Sequence, residues 1–260
     1  MPKNILSCRL GSYGAFAMHA YEHLAELGVH YIETGLPQGT EAIELLKDIL
    51  GEFKIQVASF QVSFDPLGKD FQKQIDEAIA ACAAFGTKII FTSIKGEKGG
   101  AKKNEKLFAQ LRALGDQVKA KGIKVCLETH PELVLNGKVG KETMEAINHD
   151  AIRVNFDTAN MYYYNKGIDS SVELDHVIEY VGSVHLKETD GKFHSWCFPA
   201  LGDKRGIVKF PVIVKKLNDA GFFGPWTMEI EGVKGEEQTL ELAKKRVADS
   251  VAYIRKIGDF

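Results

Sequence analysis

The sequence is poor in cysteine and proline, and neither sign of charge dominates it. Its 260 residues include seven prolines and four cysteines, which lie far apart and form no C-x-x-C pair: Cys8, Cys82, Cys126 and Cys197. A chain of this length buries enough surface to fold without disulfide staples. Free cysteines are typical of a reducing compartment, and we therefore predict a cytoplasmic protein.

Long hydrophobic runs and strongly basic regions are also absent. No apolar stretch approaches the roughly 18 residues of a membrane span, and the first residues lack the basic-then-apolar pattern of a signal peptide. With 33 basic and 35 acidic residues the net charge is −2, which favours neither a nucleic-acid nor a membrane partner. The densest basic stretch, Lys98 to Lys106, contains glycines and an acid, and we interpret it as a solvated loop and helix start.

Short apolar segments rich in β-branched residues alternate with segments of helical periodicity along the whole chain. We predict eight strands from this pattern, each followed by a helical stretch. The predicted strands are Asn4–Cys8, Tyr31–Thr34, Gln56–Phe60, Lys88–Thr92, Lys124–Glu128, Arg153–Phe156, Ser183–Leu186 and Trp226–Ile230.

The clearest helical pattern runs from Asp70 to Ala84 and ends at Phe85-Gly86, where glycine is a typical helix stop. Eight strand–helix units with right-handed crossovers close into a barrel. We therefore predict one α/β domain over residues 1–260, a single (β/α)8 TIM barrel. The competing open, doubly wound sheet is disfavoured, because no G-x-G-x-x-G follows the first strand.

Four consecutive predicted strands end in a side chain that can bind a metal ion. In such a barrel the carboxyl ends of the strands line the active-site mouth. Glu128, Asp157, His185 and Glu229 stand at or near the ends of strands five to eight. Taken singly, Asp157 can cap the next helix and His185 can be a hydrogen-bonded core histidine. Four such residues at neighbouring strand ends favour a common site.

Three carboxylates that converge on one mouth repel one another unless a cation neutralises them or some of them bind protons. Together with an imidazole they form a hard, oxygen-rich ligand set, unlike the thiolate-rich sites of structural zinc. We predict one divalent metal ion bound by Glu128, Asp157, His185 and Glu229. Mn²⁺ is the preferred ion, with Mg²⁺, Co²⁺ or Zn²⁺ as alternatives, and Glu231 stays open as a replacement for Glu229.

These strand ends resemble those of the xylose isomerase-like TIM barrels of the sugar phosphate isomerase/epimerase family, which include ketose 3-epimerases, hydroxypyruvate isomerases and inosose dehydratases. The resemblance covers essentially the whole chain and is strongest in Val125–Glu128, Asn155–Thr158, Val184–Lys187 and Gly221–Glu229. It implies one divalent ion held by glutamate, aspartate, histidine and glutamate at the four places already named. From the epimerase branch it also implies that the first and last of these glutamates transfer protons.

Three positions depart from the pattern of ketose 3-epimerases. Asn160 stands where many relatives have a histidine, and Val134 where a second glutamate is common. Gly191 occupies the place of an arginine that commonly follows the histidine of strand seven. Arg205, further along the chain, is the candidate substitute. The departures weaken the assignment to ketose 3-epimerases and leave the metal ligands intact.

A metal ion between a substrate carbonyl and a neighbouring hydroxyl acidifies the adjacent C–H bond, so that a carboxylate can remove the proton through an enediolate. Proton return to the opposite face is epimerisation, proton return to the neighbouring carbon is isomerisation, and loss of a β-hydroxyl is dehydration. We predict a sugar isomerase or epimerase, with Glu128 and Glu229 as the catalytic residues. A lyase or hydratase acting on a keto-sugar, inosose or keto-glycoside is the alternative.

Further residues are predicted to contact the sugar or sugar derivative. His130 and Lys187 lie two residues beyond a predicted ligand, so in extended segments both point into the mouth. A rim hydrogen bond and a salt bridge to Glu188 or another acid are the respective alternatives. Glu33, at the end of strand two, can orient a hydroxyl or pair with a cation. The remaining predicted contacts are Asn160, Trp196 and Arg205.

The predicted loop after strand seven is long and aromatic. Its segment His194–Pro199 suits a lid over the mouth or a contact between subunits, so a homo-oligomer stays open. For Trp196 alone, packing at the rim is the simpler explanation.

Two functions outside this enzyme class are less consistent with the sequence. An abasic-site endonuclease has a similar fold and similar core ligands, but such nucleases add histidines for a three-zinc cluster, and Asn160 replaces one of them. The near-neutral net charge also does not indicate the basic surface that binds the phosphate backbone of DNA. A non-catalytic sugar-binding barrel is disfavoured, because four clustered ligands without a use would only destabilise the fold.

Overall fold

Eight parallel strands form a closed barrel in a computed structural model of the chain, which describes residues 3–260. Each strand pairs with its neighbours in chain order, and the last pairs with the first through Ser7 and Thr227. The predicted (β/α)8 barrel is confirmed, and every predicted strand overlaps an observed one. The barrel strands are β1 Leu6–Arg9, β2 Tyr31–Gly35, β3 Gln56–Gln61, β4 Ile89–Thr92, β5 Lys124–Glu128, β6 Ile152–Asp157, β7 Val181–Leu186 and β9 Trp226–Met228.

Helices connect the strands and pack their apolar faces against the barrel. The predicted helix from Asp70 to Ala84 is α3, and Gly86 caps it in the left-handed conformation at φ 69°. Between residues 3 and 260 no helix has both the length and the apolar character to cross a bilayer. The helices are α1 Ala20–Glu26, α2 Gly39–Phe53, α3 Phe71–Phe85, α4 Glu105–Lys119, α5 Gly137–Ile147, α6 Asn160–Tyr164, α7 Ser170–Val177, α8 Phe210–Asp219 and α9 Leu240–Ile257.

The described part of the chain also contains 3₁₀ segments at Leu10–His19, Ala101–Lys103 and Ile178–Tyr180. The second lies in the basic stretch Lys98 to Lys106, which forms an exposed loop and the start of α4, as predicted.

A small antiparallel sheet, absent from the sequence prediction, lies beside the barrel mouth. It pairs β8 (Cys197–Phe198) with β10 (Gly232–Val233), and Phe198 stands opposite Gly232. The sheet ties the loop between β7 and α8 to the loop that follows β9. Since its strands have two residues each, no alternation of polar and apolar residues could have indicated them.

A buried carboxylate organises the same β7–α8 loop. Glu188 is 2% exposed, and its carboxylate accepts backbone N–H groups from Thr189, Gly202 and Val208, each at 3.1 Å. Burial raises the pKa of this carboxyl group, and the backbone hydrogen bonds oppose the rise. Lys187 therefore does not pair with Glu188, which was one alternative from the sequence.

The close contact between the start of α5 and α7 can be tested by substitution. A Cβ atom at Gly137, the first residue of α5, would lie 2.0 Å from the backbone oxygen of Glu173 in α7. We expect Gly137→Ala to destabilise the protein by about 1–3 kcal/mol through overpacking. Gly51→Ala is the matched control, since nothing lies within 4 Å of a Cβ there and alanine should stabilise α2 by about 0.5–1 kcal/mol. Denaturant unfolding measures the free energy of unfolding of both variants. Equal effects would contradict the close contact at Gly137.

Candidate metal centre

The ends of β5, β6, β7 and β9 bring four potential ligands together. Glu128, Asp157, His185 and Glu229 each offer one atom, and these atoms all lie within 4.8 Å of one another. The four residues are between 0% and 7% exposed. Within residues 3–260 this is the one such group of histidine, cysteine and acidic side chains. Glu229, rather than Glu231, belongs to it.

Asp157 divides its two oxygens between the backbone and the site. Oδ1 accepts the N–H groups of Ala159 and Asn160, both at 2.8 Å, in the turn after β6; the N-cap residue of α6 is Ala159, so Asp157 is not the helix cap that the sequence allowed. Oδ2 is buried and has no hydrogen-bond partner. It lies 3.9 Å from Nδ1 of His185. These two hydrogen bonds fix the carboxylate so that its second oxygen faces the other potential ligands.

His185 is oriented by the carboxylate of Glu33, which lies on the side of the ring away from the cluster. Its Nε2 lies 3.0 Å from Oε1 of Glu33, and Ser59 donates to Oε2 of Glu33 at 2.6 Å. Nδ1, the nitrogen on the site side, has no hydrogen-bond partner. It lies 3.5 Å from Oε1 of Glu128 and 3.2 Å from Oε2 of Glu229. Holding one ring nitrogen by a carboxylate is the usual way to present the other to a metal ion.

These residues fit a divalent cation. Leaving a buried polar atom unpaired costs about 1–3 kcal/mol, and Asp157 Oδ2 and His185 Nδ1 are two such atoms in one cluster. A cation bound by both would satisfy them and neutralise the repulsion among the three carboxylates. The set of three carboxylates and one imidazole suits Mn²⁺, Mg²⁺ or Co²⁺, and also accommodates Zn²⁺.

The ligands shift one another's pKa strongly when no metal is bound. Burial acts to raise the pKa of Glu128, but His185, His130 and Ser93 outweigh it and lower the pKa to about 2. Burial acts to lower the pKa of His185, but Glu33 and Glu128 outweigh it and raise the pKa to about 9. Burial raises the pKa of Asp157, against the opposing charges of Lys187 and His185. At neutral pH the metal-free imidazole is therefore protonated.

A cavity of about 250 Å³ opens on the ligand cluster. Four of the six predicted substrate contacts line it, together with Glu128, Glu229 and Glu231. Those four are His130, Asn160, Lys187 and Trp196. The aromatic ones among its other lining residues are Tyr163, Tyr164 and Phe198, which come from α6 and β8.

Lys187 and His130 each contact a metal ligand. Lys187 Nζ lies 3.1 Å from Oε2 of Glu229 and forms a second ion pair with Glu231. His130 Nε2 lies 3.4 Å from Oε2 of Glu128, on the partly exposed side of the cavity. Glu231 is thus a counter-ion of Lys187 and offers no atom to the ligand cluster.

Two predicted substrate contacts lie elsewhere, and both predictions are corrected. Glu33 is 1% exposed and holds His185 from behind, so it orients a ligand and does not reach the cavity. Arg205 pairs with Asp203 and Glu236 at 2.9 Å each and is not among the residues that line the cavity. It does not take the place of the arginine expected near Gly191. In both cases the position in the sequence alone did not reveal which charged partner the side chain would find.

Three polar residues at or next to strand ends also line the cavity and were missed by the sequence analysis: Arg9, Gln61 and Ser93. They end β1, end β3 and follow β4, respectively. The same rule that selected the ligands, a polar residue at the carboxyl end of a barrel strand, would have found them in the first half of the chain.

Comparisons with known proteins agree with this architecture. Residues 21–257 match the sequence model of a family described as the xylose isomerase-like TIM barrel. Among curated protein sequences, none matches the chain.

Three solved structures illustrate the shared fold. The D-allulose 3-epimerase of Methylomonas sp., in complex with D-allulose, is 19% identical, with a TM-score of 0.76 and 98% of each chain covered. The probable 3-DHS dehydratase of petrobactin synthesis from Bacillus anthracis is 18% identical, with a TM-score of 0.71 and coverage of 96% of this chain and 98% of that one. A xylose isomerase-like TIM barrel protein from Mycobacterium smegmatis, in complex with magnesium, is 18% identical, with a TM-score of 0.75 and coverage of 98% and 96%.

Metal binding should release a proton from His185. Because the pKa of the metal-free imidazole is raised to about 9, the ring is protonated at pH 7, and a metal ligand must be neutral. We expect one Mn²⁺ per chain and release of about one proton at pH 7, with affinity rising up to about tenfold per pH unit towards pH 9. Calorimetry in buffers of different ionisation enthalpy measures both. Binding without proton release at pH 7 would contradict the role of His185.

Proposed function

The chain belongs to the xylose isomerase-like TIM barrel family, and on this premise we propose that it is a divalent-metal-dependent sugar isomerase or epimerase. The observation that carries the proposal is the buried ligand cluster, whose two glutamates also line a cavity open to a small molecule. The Methylomonas structure of the same fold contains D-allulose, which supports a sugar as substrate.

Glu128, Asp157, His185 and Glu229 would hold the ion, with Mn²⁺ preferred. Once bound, such an ion supplies Lewis-acid stabilisation of the negative charge that develops on substrate oxygens when a neighbouring C–H bond is broken. The protein keeps its ligands ready for this task by fixing their orientation with Glu33 and with backbone N–H groups.

Glu128 and Glu229 are the proposed proton-transfer groups. They come from β5 and β9, with two strands between them, and both reach the cavity. Each carboxylate has its own partners: Ser93 donates to Glu128, and Lys187 contacts Glu229. One carboxylate accepts the proton from the carbon next to the carbonyl, and the other returns it.

The remaining lining residues orient the substrate in this proposal. Asn160 is buried at the cavity floor, where Oδ1 lies 3.4 Å from Lys187 Nζ and Nδ2 donates to the backbone oxygen of Thr129 at 3.2 Å. Trp196 is 44% exposed and packs edge-on against Tyr163, with ring centroids 6.2 Å apart. Its position at the rim suits contact with the C–H face of a sugar.

A dehydratase is the second candidate. His130 lies beside Glu128, is about one-third exposed, and contacts the hydroxyl of Tyr164 at 3.3 Å. A histidine so placed can protonate a leaving β-hydroxyl after a carboxylate has removed the proton. The fold shared with the Bacillus anthracis dehydratase supports this alternative, and identification of a dehydrated product would select it.

Isosteric replacement of the two glutamates tests the proposal. We expect Glu128→Gln and Glu229→Gln each to slow turnover by roughly 10²- to 10⁴-fold, because an amide cannot accept the proton. NMR in D2O measures hydrogen–deuterium exchange at carbon across a panel of ketoses and inososes. Glu52→Gln, on the exposed side of α2, is the control.

If Glu128→Gln or Glu229→Gln exchanged carbon-bound hydrogen at the wild-type rate, the proposed role of that glutamate would be refuted. Full activity in a preparation that contains no metal by elemental analysis would refute the mechanism as a whole.

A further inference from the structure

The cavity has a polar half and an aromatic half. Arg9, Gln61 and Ser93 come from the β1–β4 side of the barrel and form the polar half. The β6–β7 side contributes the rings of Tyr163, Tyr164, Trp196 and Phe198. A ligand bound over the metal ligands therefore meets hydrogen-bonding groups on one side and ring faces or edges on the other.

Arg9 is fixed by three contacts. Nη2 donates to Oε1 of Gln61 at 2.8 Å, Nη1 forms an ion pair with Oε1 of Glu229, and the guanidinium carbon lies 5.4 Å from the ring centroid of Phe91. These contacts leave some of the five guanidinium N–H bonds free. The Gln61 amide group likewise donates to no acceptor within residues 3–260. The pair therefore offers donors to the cavity, which suit a hydroxyl or carbonyl oxygen.

Both cations of the cavity are already balanced by carboxylates. Arg9 pairs with Glu229, and Lys187 pairs with Glu229 and Glu231. Glu128, Asp157, Glu229 and Glu231 are four carboxylates against these two cations, and the buried Glu33 beside His185 is a fifth, so one divalent ion leaves no surplus positive charge. A phosphate group would add a charge of about −2 where no cation is free to receive it. It would also lose hydration, which makes its burial here unfavourable.

We propose that Arg9 and Gln61 determine specificity by binding an oxygen of an uncharged, unphosphorylated sugar of monosaccharide size. This inference rests on the proposed function and names its substrate class. The cavity of about 250 Å³ lies below the roughly 300–1,000 Å³ of pockets for drug-sized ligands, which limits the ligand to a small molecule. The sugar's hydroxyls face Arg9 and Gln61, and its C–H surface packs on the aromatic half.

Matched pairs of ligands test the substrate class. Calorimetry with Mn²⁺-loaded protein compares D-allulose, D-fructose and D-tagatose, each with its own 6-phosphate. We expect the best neutral ketose to bind at least about tenfold more tightly than its phosphate, a difference of about 1.4 kcal/mol. Tighter binding of the phosphates, or binding of neither set, would overturn the inference. Binding of a neutral sugar without exchange of carbon-bound hydrogen would instead refute the proposed function and leave the substrate class standing.

Substitution of Gln61 tests whether the Arg9–Gln61 pair binds the sugar. Gln61→Leu removes a donor but keeps the Arg9–Glu229 ion pair, so sugar affinity should fall roughly 3- to 10-fold while Mn²⁺ affinity stays unchanged. Arg205→Met, outside the cavity, is the matched control and should alter neither affinity. Wild-type sugar affinity in Gln61→Leu would overturn the role of the pair.

Discussion

Repulsion among carboxylates at the mouth of the barrel is the constraint around which the site is built. Three acidic ligands lie within 4.8 Å of one another and of a histidine, at positions that solvent hardly reaches. At short range in a buried environment, like charges are strongly unfavourable unless each has a partner. Residues at the ends of neighbouring strands supply partners for two of them: Ser93 for Glu128, and Arg9 and Lys187 for Glu229. Asp157 instead accepts backbone N–H groups from the turn that follows it. What stays unpaired is the inner face of the cluster, where a cation fits.

The wall of the cavity depends on a second buried carboxylate. Glu188 binds three backbone N–H groups of the β7–α8 loop and has no lysine or arginine partner among residues 3–260. A buried carboxylate that accepts several N–H groups satisfies backbone donors that an irregular loop would otherwise leave unpaired. The loop continues into β8, whose pairing with β10 sets Phe198 at the cavity. Glu33 thus orients His185, and Glu188 positions the loop that forms one wall of the cavity. Neither residue lines the cavity itself.

The fold could be predicted because it follows from periodicity: eight apolar runs mark the barrel strands. The four candidate ligands were selected because they stand at or near the carboxyl ends of strands, which line the mouth of such a barrel. The partners of long charged side chains do not follow from periodicity. Arg205 carries the charge expected near the histidine ligand, yet Asp203, two residues away, and Glu236 hold it outside. Arg9 reaches Glu229 from the adjacent strand β1, a contact across 220 residues of sequence that only the closed barrel creates.

Asn160 bears on how many metal ions the site can hold. A histidine at this position could bind another metal ion, whereas the amide lies 3.4 Å from the ammonium group of Lys187 and also donates to the backbone of Thr129. A second cation placed there would be repelled by Lys187, which is itself held by Glu229 and Glu231. The arrangement therefore favours a single metal ion over a multi-zinc cluster. With one ion bound, the site would suit the proposed proton transfer on an uncharged sugar better than a reaction at a phosphodiester.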